Sequence, residues 1–203
     1  TDRLLISDGE VEEVVNGITH FQGANVWELD RNGLAFNRTA NISNVPPGVV
    51  VPVTNEPAGA AFNPTNGHYY VSADDGKEVY DINPGADGLV GTAGDTVVSF
   101  DTLIHGNSDP EGITYDTFSG HLFVADGLNR EVYRYTTGGL NNLYSAKFTI
   151  KKGSTVNNVE LGYGVVEGKM WYLVSTKDGK IAVNAQPWDR ATKTGTVNIK
   201  ASN

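Results

Sequence analysis

Short runs in which apolar and polar residues alternate follow one another along this chain, separated by breaks rich in Gly, Asn and Asp. A period of two predicts β-strands joined by tight turns, and no segment sustains the 3.6-residue period of a helix. Two stretches carry the same succession of runs. Residues 56–80 read EPAGAAFNPTNGHYYVSADDGKEVY and residues 109–133 read DPEGITYDTFSGHLFVADGLNREVY. They align without a gap, placing Pro57 on Pro110, Gly59 on Gly112, Gly67 on Gly120, His68 on His121 and Tyr80 on Tyr133. Each copy predicts a first strand (AGAAFN, EGITYD), a turn, a second strand (HYYVSAD, HLFVADG) and a third (KEVYDIN, REVYRYT). After the first copy, a Gly/Asp-rich loop leads to TVVSFDT, a fourth strand. Four antiparallel strands in a repeated unit is the plan of a β-propeller blade. The fold class expected is therefore all-β, with about four blades, the last divergent, or a segment of a larger propeller.

A degenerate copy precedes these two. Arg3 to Asp8 matches the second strand and Asn25 to Asp30 the third, with GEVEEVVNGITHFQGA inserted between them. LAFNRTANIS supplies an outer strand, and the innermost strand of this copy is missing. Beyond residue 140, KFTIKK reads as the outer strand of the third blade. VELGYGVV, KMWYLVST, KIAVNAQ and TGTVNIKAS read as further strands without the Pro-x-Gly and Gly-His marks. Residues 141–203 are thus either a divergent fourth blade or a separate small β module, beside propeller blades in 1–140.

Charge supports that division. Residues 1–140 carry a net −14 and residues 141–203 a net +5. The acidic part argues against nucleic acid, whose phosphates need basic surface. No run of 18 apolar residues spans a membrane. The absence of cysteine removes disulfides, thiolate metal sites and a Cys nucleophile. No Gly-x-Ser-x-Gly elbow and no phosphate-binding Gly loop before a helix occurs. The chain opens on strand-like text, TDRLLISDGE, as a processed or excised segment would.

LLISDGEVEE, NPGADGLVGTAGD and SDPEGITYDTFSGHLFVADGLNREVY resemble bacterial exported β-propellers related to the NHL-type and SdiA-regulated (esterase-like phytase) propellers. The resemblance covers roughly residues 3–135. It implies an extracellular or cell-surface location, often inside larger calcium-binding surface proteins.

Two oxygen-rich constellations are candidates for chemistry. Calcium takes six to eight oxygens, and Asp81, Asn83, Asp87 and Asp95 offer side-chain oxygens in a loop whose glycines let carbonyls turn inward. The alternative is a solvated turn in which Asp and Asn cap their own backbone. The second constellation is a rim. The start of strand one and the end of strand two share one rim of a blade, which collects Glu56, Asp109 and Glu111 with Asp8, Asp74, Asp75 and Asp126. In a hydrolase, Asp109, Glu111, Asp126 and Glu56 would hold a metal that activates water. In a structural role the same acids would bond backbone amides, as buried carboxylates must find donors. His68 and His121, at equal places on the opposite rim, read as a repeated inter-strand hydrogen bond, and His20 and His105 lie in loops. Tyr69, Tyr70, Tyr80, Phe123, Tyr133 and Tyr135 read as packing between blades. Trp171 and Trp188 offer a sugar platform or core. The sequons at Asn37 and Asn41 matter only in a eukaryotic secretory host.

The function expected is a non-enzymatic, calcium-stabilised extracellular binding or structural module with a protein or carbohydrate ligand. Its alternatives are a metal-dependent hydrolase of the phytase-like or lactonase-like class, and a subunit that self-associates by donating a strand.

Overall fold

In the computed structural model the two repeated stretches fold as two antiparallel sheets of four strands in chain order. The structure describes residues 3–9, 14–19, 21, 23–30, 36–43, 51–117, 119–128, 131–139, 145–147, 163–166, 169–172, 174–175 and 181–182. His20, Trp188 and the TGTVNIKAS stretch lie outside the described residues.

The degenerate copy contributes β1 (Arg3–Ser7), a small hairpin of β2 (Val14–Val15) and β3 (Ile18–Thr19), then β4 (Val26–Asp30) and β5 (Phe36–Ala40). The first full repeat contributes β6 (Pro57–Phe62), β7 (Tyr69–Ala73), β8 (Glu78–Asn83) and β9 (Thr96–Asp101). The second contributes β10 (Pro110–Asp116), β11 (His121–Asp126), β12 (Glu131–Thr136) and β13 (Ser145–Lys147). Further on come β14 (Tyr163–Val166), β15 (Lys169–Tyr172), β16 (Val174–Ser175) and β17 (Ile181–Ala182), paired as two short hairpins. The chain is all-β and built on the blade plan: β6-β7-β8-β9 and β10-β11-β12-β13 are up-and-down sheets.

The first sheet has the order β1-β4-β5. Among the described residues this sheet has three strands. The insertion between β1 and β4 holds β2 and β3, turned by Asn16 and Gly17, whose φ values of 54° and 77° are both left-handed. Asn-Gly supplies that geometry readily, which makes it a hairpin signal. At β13 the sheet begins earlier than the KFTIKK run suggests, pairing Ser145 with Tyr133 and Lys147 with Glu131.

The Pro-x-Gly mark of the repeat is a β-bulge. Pro57 pairs with Ala73 but Gly59 with Ser72, and Pro110 pairs with Asp126 but Ile113 with Val124. A bulge bends and twists the innermost strand, and Gly tolerates the local irregularity.

The chain separates into two compact units, Thr1–Phe100 and Asp101–Asn203. In the first, Val26, Ala40 and Ile42 pack with Val71, Ile82 and Val90, so the faces of the three-stranded and the first four-stranded sheet share one core. Leu5, Val53, Tyr69, Tyr80 and Val97 close its margin. In the second, Leu122, Val124, Ala125, Val132 and Tyr135 are buried on the central strands.

Candidate functional site: the acidic rim and the 81–95 loop

Within each complete blade, a carboxylate at the end of the second strand fastens the chain as it approaches the first. Asp75 follows β7, and it accepts the Thr54 hydroxyl at 2.7 Å and the Asn55 N–H at 3.3 Å. Its Oδ1 also accepts the Gly76 N–H at 2.7 Å. Asp126 ends β11 and accepts the Ser108 N–H at 2.9 Å. Asn55 and Ser108 occupy the same place in the repeat, whereas the two acids sit at places two residues apart. Asp126 is fully buried, and a buried carboxylate without donors would cost several kcal/mol. The recurrence of an acid at this rim thus has a structural cause within the blade. Asp8, at the matching end of β1, is exposed, and its own N–H donates to the Asn25 carbonyl at 2.9 Å. Asp74 forms an ion pair with Lys77 in the β7–β8 turn.

The other rim acids are placed differently. Glu56 is half-buried, and its N–H donates to Thr54 Oγ1 at 3.1 Å. Asp109 precedes the bulge of β10 and Glu111 lies within it, with a carboxylate oxygen of each within 4.8 Å of the other. They crowd over Gly127, where a Cβ would lie 2.8 Å from Asp109 Oδ2 and 2.9 Å from Glu111 Cγ. The Gly127 N–H donates to the Asp109 carbonyl at 3.0 Å. Asp109, Glu111 and Asp126 therefore belong to one blade, and Glu56 to the other compact unit.

In the 81–95 loop each proposed calcium ligand already serves a donor. Asp81 Oδ1 lies 2.7 Å from His68 Nδ1. Asn83 Oδ1 accepts the Gly85 N–H at 3.1 Å, and Asp87 Oδ1 the Leu89 N–H at 2.9 Å. Asp95 accepts the Gly91 and Thr92 N–H groups at 2.7 and 3.3 Å and the Thr92 hydroxyl at 3.1 Å. The Leu89 N–H holds the Asp87 carboxyl below its ordinary pKa. Between these turns lies a single 3-10 turn, Gly85–Asp87. The carboxylates of Asp81, Asp87 and Asp95 do not converge: no set of oxygens from the three lies within 4.8 Å of one another. This is the arrangement of Asx turns. A calcium cage would need the same oxygens turned on one point.

On the opposite rim, His68 bonds across strands to Asp81, as the repeated histidine suggested. Its counterpart His121 has Arg134, not Asp, at the matching place on the third strand. Tyr70, Tyr133 and Tyr135 are buried and Tyr80 is half-buried, with rings of Tyr133 and Tyr135 stacked at 6.3 Å. Burial pushes the Tyr135 phenol well above the usual tyrosine range. Burial, and then the Glu78 carboxylate that accepts its hydroxyl at 2.5 Å, does the same to Tyr80. Asn41 is buried and accepts both the N–H and hydroxyl of Ser43, so that sequon offers no modification surface.

One feature was not visible in the sequence. A cleft of about 220 Å³ in the first unit is lined by Leu4, Leu5, Glu28, Ala60, Ala61, Phe62 and Tyr69. The signal for it is in the repeat: Ala60 and Ala61 stand where the next copy has Ile113 and Thr114.

No protein family matches the chain, and no curated protein does. Solved structures similar to it include a hydrazine synthase of Kuenenia stuttgartiensis, at 15% identity over 83% of this chain and 41% of that one, with a TM-score of 0.47. A streptogramin B lyase is 18% identical over 81% of this chain and 49% of its own, with a TM-score of 0.46. A PQQ-bound aldose sugar dehydrogenase of Streptomyces coelicolor is 13% identical over 89% and 57%, with a TM-score of 0.43. This chain therefore spans between about two fifths and three fifths of their lengths. At such identities and scores their activities carry no argument here.

Proposed function

We propose that the chain is a non-enzymatic binding or structural module made of propeller blades, working outside the cell as the resemblance of residues 3–135 implies. One observation carries the non-enzymatic part. The fully buried Asp126, which a hydrolase would need as a metal ligand, holds the Ser108 N–H, and Asp75 does the same for Asn55 in the other complete blade. Carboxylates spent on fixing backbone are poorly placed to hold a metal and a reacting water. Calcium in the 81–95 loop is not part of this reading, because Asn83, Asp87 and Asp95 bond the loop's own amides and Asp81 bonds His68.

The hydrolase reading keeps one observation in its favour, the adjacent carboxylates of Asp109 and Glu111. The two readings separate in a turnover assay on the full chain. p-Nitrophenyl phosphate and a simple lactone are offered with calcium, manganese or zinc. The module reading expects no hydrolysis above the metal-only rate. Turnover that falls on Asp109→Asn or Glu111→Gln would replace it with the hydrolase.

A further inference from the structure

We propose that Asn16 is a site of spontaneous modification, at which attack by the Gly17 nitrogen expels the side-chain amide and leaves aspartate or isoaspartate. Asn16 and Gly17 form the tip of the β2–β3 hairpin, with φ of 54° and 77°. Both are exposed. A Cβ built on Gly17 would meet nothing within 4 Å, and glycine itself puts no side chain beside the attacking nitrogen. Among the described residues, no hydrogen bond engages the Asn16 side chain or the Gly17 N–H. Reaction needs the backbone to leave its turn so that this nitrogen reaches Asn16 Cγ. β2 and β3 are two residues each, and a two-stranded hairpin is marginal by itself. Val14 and Ile18 are 57% and 63% exposed, so little packing holds the hairpin closed.

A second Asn-Gly pair within the described residues supplies the contrast. Asn66, before Gly67, is exposed as well. There, however, the groups that would react are engaged. The Gly67 N–H donates to the Asn63 carbonyl at 2.9 Å, and Asn66 Oδ1 accepts the His68 N–H at 3.0 Å. That turn joins two strands of a four-stranded sheet, so opening it costs more. At Asn16 the reaction balances with water as its only co-reactant. The Gly17 nitrogen gives its proton to solvent and bonds to Asn16 Cγ, the amide nitrogen leaves as ammonia, and a cyclic imide closes. Water then adds to either imide carbonyl. Opening at the side-chain carbonyl gives aspartate. Opening at the main-chain carbonyl gives isoaspartate, whose backbone runs through the former side chain. A neutral amide thus becomes a carboxylate, and isoaspartate lengthens the backbone of a tight turn whose geometry sets how β2 and β3 pair.

The test ages the full chain in 18O-labelled water at mildly alkaline pH, folded and in urea. Peptide mass spectrometry with electron-transfer fragmentation reads each asparagine and tells isoaspartate from aspartate. In the folded chain, conversion at Asn16 is expected to be at least tenfold faster than at Asn66, with labelled oxygen in the product. In urea the two rates should converge, because the fold makes the contrast. Gly17→Ala should slow Asn16 severalfold in urea too, where folding of the variant does not matter, since its methyl crowds the attacking nitrogen. Asn16 remaining intact in the folded chain, equal rates at Asn16 and Asn66 there, or an Asn16 rate in urea unchanged by Gly17→Ala overturns the proposal.

Discussion

The Asp81 carboxylate lies 2.7 Å from His68 Nδ1, joining the third strand of a blade to the start of its second. A carboxylate only accepts, so the imidazole carries a proton on Nδ1. The pair is partly buried, with side-chain exposures of 26% and 17%. Its coupling in a double-mutant cycle of His68→Ala and Asp81→Ala is expected at about 1 kcal/mol, the usual size for such a bond. Urea unfolding measures it. Zero coupling would return Asp81 to the pool of free ligands.

The turn glycines before the histidines should be sensitive. Gly67 and Gly120 have φ of 79° and 71°, and their N–H groups close the turn on the carbonyls of Asn63 and Asp116 at 2.9 and 2.8 Å. A Cβ in this region costs about 1–2 kcal/mol. Gly120→Ala should lose that much in urea unfolding, and Gly120→Asn less, because Asn tolerates the left-handed region.

Calcium should leave the melting temperature of chelator-treated protein unchanged. A ligand of the native state would raise it by mass action. Asp95→Ala should instead destabilise the loop without metal, since it strips acceptors from the Gly91 and Thr92 amides. A calcium-dependent rise that vanishes in Asp87→Ala would establish the cage.

Alkaline pH should unfold the chain through its tyrosines. Tyr80 and Tyr135 have pKa values raised above the ordinary 10, chiefly by burial. The fold therefore favours the neutral phenols. Their contribution is complete below about pH 10 and is lost as pH climbs toward the raised values. Thermal melts should hold steady on this account from pH 7 to 9 and fall above about 10, with a shallower fall in Tyr135→Phe. Absorbance at 295 nm should show these two phenols ionising only with unfolding.

Much of the blade was legible because its strands repeat. The identities at Gly67/Gly120 and His68/His121 fixed where turns end and strands begin, and the register followed. The reason for Gly59 and Gly112 was not legible. A bulge supplies the cause, and a bulge is a relation between strands that one strand does not display. The β2–β3 hairpin was signalled by Asn16-Gly17 but masked by the long insertion around it. Among the acids, the repeat placed Asp74 and Asp75 together at one strand end. It did not separate Asp75, which fastens Asn55, from its neighbour Asp74, because one turn decides which of two adjacent carboxylates faces the incoming chain. The cleft at Glu28 needed the packing of two sheets, which no local pattern encodes.

The clamp at Asp126 tests most directly whether the recurring acids serve the fold. Urea unfolding of Asp126→Ala should show a loss of about 2–3 kcal/mol, the effect of leaving a buried donor without its charged acceptor. A loss below about 0.5 kcal/mol, the range of ordinary surface changes, would contradict the clamp and return Asp126 to the candidates for catalysis.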